Sequence, residues 1–245
     1  MSKLIDTFIK PDWPAPANVN AWQTTRLGGV SLSPYDSLNV GAHVNDNAMH
    51  VANNRQRLSA YVPTEPVWLN QVHGIRVINA AESRCIEDAD ASYAIQSNVV
   101  CVTMTADCLP VLLCDQSGTM VAAIHAGWRS LCGGVIEATI KEMQLPTKTM
   151  MAWLGPAIGQ EAFEVGSEVR EKFMDQDKSA EKAFVPNGSQ WLGDLYLIAT
   201  QRLQALGVHA IYGEKLCTYS NPNQFFSFRR DGKTGRMASI IWLSD

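Results

Sequence analysis

The chain has 245 residues, 46% of them hydrophobic and 18% charged, with a formal net charge of −4. At about 100–200 residues per domain, this length holds one large or two small domains and is ample for a buried core. No stretch approaches the ~18 consecutive apolar residues of a membrane span, "MSKLIDTFIKPDWP" lacks the apolar region of a signal peptide, and basic residues are scattered until "FRRDGKTGR". The expectation is a cytoplasmic protein with a small-molecule partner, no nucleic acid and no membrane. Nothing in the sequence sets an oligomeric state.

No repeat, low-complexity segment or Ser/Gly linker divides the chain, so residues 1–245 read as a single domain. In chain order, "DNAMHVANNRQRLSAYV" carries an Asp or Asn N-cap and apolar positions at helical spacing, which predicts a helix from about 47 to 60 with Arg55 and Arg57 on its polar face. "SNVVCVTMTAD", "LPVLLCD" and "TMVAAIHAG" are short apolar runs punctuated by Asp, Gly and Pro, the pattern of strands buried on both faces. "VIEATIKEMQL", "SEVREKFM" and "LGDLYLIATQRLQALGV" follow as helices, the last stopped by Gly207. "FFSFRR" and "MASIIWL", joined by "DGKTG", read as a closing antiparallel hairpin. Strands and helices alternate without a strict βαβ rhythm, which predicts an α/β fold: a mixed β-sheet flanked by helices in a layered sandwich.

Six cysteines, at 85, 101, 108, 114, 132 and 217, contain no Cys-x-x-Cys, so reduced thiols are expected in a chain of this kind. Five histidines stand at 43, 50, 73, 125 and 209. His73 in "WLNQVHGIRV" and His125 in "AAIHAGWRS" both precede small residues at expected strand ends, and Cys108 holds the equivalent place after "VTMTAD". A thiolate and two imidazoles with an open fourth position form the donor set of a catalytic zinc. Two other readings stand beside it on spacing alone: a cysteine nucleophile paired with His125 or His73, and a buried thiol beside hydrogen-bonded histidines. Cys101 and Cys114 remain open as a fourth ligand.

"TTRLGGVSLSPYDSLNVGAHVND", "NNRQRL", "EPVWLNQVHG", "VTMTADCLPVLLCD", "VAAIHAGWRS", "AWLGPAIGQEAFEVG" and "FFSFRRDGKTGRMASIIWL", in that order, resemble the bacterial laccase-domain family, also called multicopper polyphenol oxidases or peptidoglycan editing factors and described as purine nucleoside phosphorylases. The likeness runs from about residue 20 to the C-terminus. It implies a single α/β domain of laccase-domain (cysteine-hydrolase-like) type with one metal, generally zinc with copper possible, held by His73, Cys108 and His125. It also implies phosphorolysis of adenosine, inosine and methylthioadenosine, with adenosine deamination beside it. Two departures are small: Ser130 and Asn45 stand where glycine is common. A true multicopper oxidase needs many more histidine ligands than five, and one His₂Cys site cannot gather four electrons for oxygen.

Within that frame His43 in "GAHVND" is the candidate general acid/base and Asn39 the amide that reads a base or sugar. Arg55 is the first choice for phosphate, with Arg26 and Arg129 behind it and Arg229 and Arg230 as outsiders. Phe163 is the candidate stacking partner for a purine. Asp107 is placed to orient His73 or His125 as a supporting carboxylate. Two alternatives come from other classes: a hydrolase editing nucleotide-linked muramyl peptides, and a non-enzymatic protein in which the metal is structural.

Overall fold

The computed structural model describes residues 4–245, in which strands and helices alternate along the chain. The strands are β1 (Val19–Gln23), β2 (Val77–Asn79), β3 (Ala91–Ala94), β4 (Cys101–Thr105), β5 (Leu109–Asp115), β6 (Val121–Ala126), β7 (Met150–Leu154), β8 (Glu164–Val165), β9 (Phe184–Asn187), β10 (Gln190–Gly193), β11 (Ala210–Tyr212) and β12 (Met237–Leu243). The helices are α1 (Ala48–Ser59), α2 (Trp128–Gly133), α3 (Val135–Met143), α4 (Ser167–Gln176), α5 (Leu195–Ala205) and α6 (Phe228–Asp231). The central sheet is mixed, in the order β11-β7-β5-β6-β3-β2, with parallel pairs only at its two edges. A second, antiparallel sheet runs β1-β12-β4, and a small third one runs β8-β10-β9.

Side-chain alternation explains how the layers stack. Leu109, Val111 and Leu113 of β5 face a core shared with α3 and α5, while Leu112 and Cys114 face a core shared with Ile241 and Leu243 of β12. The other face of the second sheet, with Val102, Ala238 and Ile240, packs against Leu58 of α1 and Trp68. Each strand of the middle two layers is therefore covered on both sides, which is why "LPVLLCD" and "VAAIHA" lack polar alternation. Truncating Leu112, fully buried between the two sheets, costs about 2–5 kcal/mol.

The first long helix lies where the spacing predicts, with the Asn47 side chain capping it by accepting the Met49 N–H. Gly207 takes a left-handed conformation just after α5, as a C′ residue does. The expected closing hairpin does not form. Ser227 instead accepts the Arg230 N–H as an N-cap and turns "FRRD" into α6, while β12 becomes the middle strand of the second sheet between β1 and β4. Phe225 and Phe226, read as strand residues, are fully buried in a small core with Ala106 and Met237.

A candidate metal centre at the floor of a cavity

Strand register brings the three sequence-predicted donors together. In the β5–β6 ladder Pro110 pairs with His125, which sets Cys108, two residues before Pro110, beside that imidazole. His73 reaches the same point from a turn that precedes β2 rather than from a strand end, with a left-handed φ of 59°. The turn is pinned by Gln71, whose amide exchanges two hydrogen bonds with the backbone of Met104 at the end of β4, at 2.8 and 2.7 Å. Cys108 Sγ lies 3.7 Å from His73 Nε2, and one donor atom from each of the three residues falls within 4.8 Å of the others. A tetrahedral zinc with Zn–S near 2.3 Å and Zn–N near 2.1 Å separates sulfur from nitrogen by about 3.6 Å, so the donor set fits such an ion. Gly127 makes the approach possible, because a Cβ there would sit 2.8 Å from His73 Cδ2 and 2.9 Å from Cys108 Sγ.

Asp90 organises the cluster. It immediately precedes β3, where Ala91 pairs with Ile124, so its backbone carbonyl accepts the His125 N–H and its Oδ1 lies 2.7 Å from His125 Nδ1. With Nδ1–H donating to Asp90, the Nε2 lone pair of His125 is left for a metal. The same carboxylate accepts the backbone N–H groups of His73 at 3.0 Å and Gly74 at 2.6 Å, and these bonds with His125 hold its pKa low despite burial. Burial disfavours the charged form of both Cys108 and His125. Their mutual attraction, with help from His73 and Asp90, outweighs it, pulling the thiol down to about 6 and the imidazole up to about 9. The thiolate, the form that binds metals, is thereby favoured at neutral pH.

The other expected site residues divide. His43 lines the cavity above the cluster, where desolvation, then Arg236 and Arg55, depress its pKa and keep it neutral at pH 7. Phe163 and Arg129 also line the cavity, Phe163 with its ring largely buried and Arg129 with its guanidinium over Trp128 at 4.4 Å. Asn39 does not face it: fully buried, its amide holds Gly41, Asp46 and the Arg236 N–H and so shapes the loop that carries His43. Arg55 is stacked on Trp68 at 3.9 Å and donates to the Val40 carbonyl, outside the cavity wall. Arg26 is spent on Asp36 and the Pro222 carbonyl, and Arg230 on the carbonyls of Thr218, Tyr219 and Phe225.

Asp107 points away from the histidines, accepting Thr218 Oγ1–H and the Arg229 N–H at 2.6 Å each, so the supporting carboxylate is Asp90. Cys101 and Cys114 lie in the core between the two sheets, where burial pushes both thiols up to about 12, and they take no part in the cluster. Of the two departures, Asn45 occupies a left-handed φ of 63°, the backbone state glycine serves. Ser130 is buried inside α2. Sequence reasoning passed over Asp90 and Arg236, the latter a cavity-lining arginine just before β12.

The arrangement defines a class: a layered α/β domain with a His–Cys–His constellation that could hold a metal ion at the floor of a cavity of about 620 Å³. Residues 20–244 match the family described as multi-copper polyphenol oxidoreductase laccase, and the chain belongs to that family. It is 54% identical over 246 residues to purine nucleoside phosphorylase YfiH of Escherichia coli strain K12, covering 99% of this chain and 100% of that protein. A purine nucleoside phosphorylase of Pseudomonas aeruginosa, PA4543, is 51% identical over 98% of this chain and 100% of its own length. Among solved structures, Neisseria meningitidis protein NMB0706 superposes with a TM-score of 0.96 at 50% identity, covering 98% of this chain and 100% of that one. YlmD from Geobacillus stearothermophilus superposes with a TM-score of 0.85 at 29% identity, covering 97% and 96%. No described helix is long and apolar enough to cross a membrane.

Proposed function

We propose that the protein is a zinc-dependent purine nucleoside phosphorylase acting on adenosine, inosine and methylthioadenosine in the cytoplasm, with adenosine deamination as a second reaction of the same cavity. The observation that carries this reading is the position of the His73–Cys108–His125 donors at the floor of a cavity of about 620 Å³, a size suited to a nucleoside. The names of the close relatives support it. The alternative of a single copper stays within this donor set, but a four-electron oxidase does not. Among the described residues, His73, Cys108 and His125 are the one cluster arranged as metal ligands.

When bound, zinc supplies Lewis-acid polarisation beside the reacting atoms. The chain supplies the rest. In phosphorolysis a phosphate oxygen bonds to C1′ of the ribose as the C1′–N9 bond breaks, and the electron pair leaves with the purine. His43, neutral at pH 7, takes a proton from dihydrogen phosphate and returns it to the departing base. In deamination it takes the proton of the attacking water and returns it to the amine that leaves C6 as ammonia. Phe163 offers an aromatic surface to the purine, and Asp90 keeps His125 fixed.

The test is product analysis of adenosine incubated with zinc-loaded protein and its Cys108→Ala variant, with and without phosphate. Adenine that requires phosphate and disappears in the variant supports the phosphorylase; inosine that forms without phosphate supports the deaminase. No product from the wild type overturns the nucleoside reading and turns attention to muramyl-peptide substrates.

A further inference from the structure

We infer that Arg236 is the residue that binds the oxyanion in this cavity, and that under the phosphorylase reading on which this rests it holds inorganic phosphate. Three arginines line the cavity, and they differ in what they have left to offer. Arg129 is exposed and lies over Trp128. Arg229 donates from Nη1 to the carbonyls of Ala162 and Glu164. Arg236 is partly buried, and among the described residues no carboxylate lies within ion-pair distance of it. Its Nη1 donates to the carbonyls of Thr234 and Gly235 and its guanidinium lies 5.9 Å from the centroid of the Phe228 ring, while among the described residues Nε and Nη2 have no hydrogen-bond acceptor.

A guanidinium withdrawn from water with no hydrogen-bonded counter-charge is costly unless an anion completes it. Two acids of the cavity wall act on Arg236 through space, the Cys108 thiolate first and Asp107 second, and neither is hydrogen-bonded to it. Cys108 is engaged with the two histidines as a metal donor, and both Asp107 oxygens are occupied by Thr218 and the Arg229 backbone. The neighbouring groups on that side, His43 and Arg55, add no negative charge. A ligand in the cavity can supply the missing hydrogen-bonded charge, and a planar fork with free Nε and Nη2 hydrogens matches two oxygens of a phosphate.

The side chain is also held in advance. The Arg236 backbone N–H donates to Asn39 Oδ1, and its Cβ and Cγ pack so closely on Gly41 that a Cβ at position 41 would lie 2.7 Å from Arg236 Cγ. Thr105, which lines the cavity, pairs with Met237 immediately after Arg236, so the β4–β12 ladder fixes the backbone that carries the arginine against the cavity wall. Arg55, the sequence-based choice, has less to offer, because its guanidinium is stacked on Trp68 and bonded to the Val40 carbonyl outside the cavity wall.

The experiment measures adenine formation against phosphate concentration for zinc-loaded wild type, Arg236→Gln and, as a control outside the cavity, Arg57→Gln. Arg236→Gln is expected to raise the phosphate KM roughly 10–100-fold, the loss of a charge-assisted pair of hydrogen bonds, with the adenosine KM within about twofold of wild type. A phosphate KM unchanged within about twofold overturns the assignment. Circular dichroism and bound zinc establish that the variant is folded. Should Arg236→Gln not fold, Arg236→Lys carries the test: a phosphate KM raised about fivefold or more supports the role of the fork, and an unchanged one overturns it. If the wild type forms no adenine, the phosphorylase reading falls, and calorimetric titration with inorganic phosphate alone decides the oxyanion site. Saturable binding that Arg236→Gln lacks supports it; equal binding in both, or none to wild type, overturns it.

Discussion

Asp90 and His125 form a buried carboxylate–imidazole pair, with the imidazole at the cavity floor, Asp90 behind it and Oδ1 2.7 Å from Nδ1. The same carboxylate collects the backbone N–H groups of His73 and Gly74, so one side chain positions two of the three metal donors. Asp90→Asn keeps the size but cannot accept at both ends. The expected result is a zinc affinity about 10–100-fold weaker, read by competition with a chelating dye, with the far-UV spectrum retained. Affinity equal to wild type removes Asp90 from the centre.

Gly127 gives a steric test. Alanine there drives a methyl group to within 2.8 Å of His73 Cδ2 and 2.9 Å of Cys108 Sγ, contacts that real Cβ atoms do not make. Since Gly127 has a φ of −60°, its backbone tolerates alanine and the damage falls on the donors. Gly127→Ala is expected to be soluble and to carry well under one zinc per chain by elemental analysis. Full occupancy shows that the donors separate without losing the metal.

The histidine and cysteine pair predicts a pH response of the thiol. In chelator-treated protein Cys108 titrates near about 6 instead of 9.0, so the thiolate fraction, and with it the alkylation rate by iodoacetamide, rises as pH increases through about 6 and levels off by neutrality. Cys101 and Cys114, pushed up to about 12 by burial, stay unmodified throughout. Peptide mapping assigns the label by residue. A Cys108 midpoint near 9 contradicts the pairing, and saturating zinc is expected to protect the residue.

His43 is expected to act as a base because its pKa lies below 6.5, lowered by desolvation and by Arg236 and Arg55. The neutral form that accepts a proton is fully present above that pKa and lost as pH falls through it. The acid limb of the rate profile therefore lies below 6.5. His43→Gln should lower kcat by about 10²–10⁴ and flatten that limb, with zinc content unchanged. A variant with the wild-type profile assigns the limb to another group.

The three donors were legible in the sequence because each lies at an expected strand terminus beside small or turn-forming residues, in "QVHG", "TADCLP" and "HAGW". Asp90 was not, because its meaning comes from the β3–β6 register, which sets it beside a histidine 35 positions away. Helical spacing put Arg55 on a polar face, but it cannot show that Trp68, outside that helix, would absorb its guanidinium. Likewise the apolar pattern of "FFSFRR" fits a strand, and only the capping bond from Ser227 and the two partners of β12 exclude the hairpin. Strands β4, β5 and β6 were readable as buried runs, yet nothing local assigns "CVTMT" to one sheet and "LPVLLCD" to the other.

Metal removal separates a catalytic from a structural centre. The cores on both faces of the central sheet close on apolar side chains alone, with Leu112, Leu113, Ile124 and Ile241 fully buried and none in contact with the donor cluster as a ligand. A zinc-dependent fold, by contrast, has too little core to hold without the ion. Chelation is therefore expected to abolish turnover while leaving the far-UV spectrum and a cooperative melt. The Tm should fall only by the lost binding linkage, about 3–4 kcal/mol if zinc was present at a few hundred times its Kd, and should recover with activity on adding zinc back. Loss of the folded spectrum in step with loss of metal would mean that the donors hold the β4–β5 turn, β6 and the His73 turn together, and the centre would then be structural.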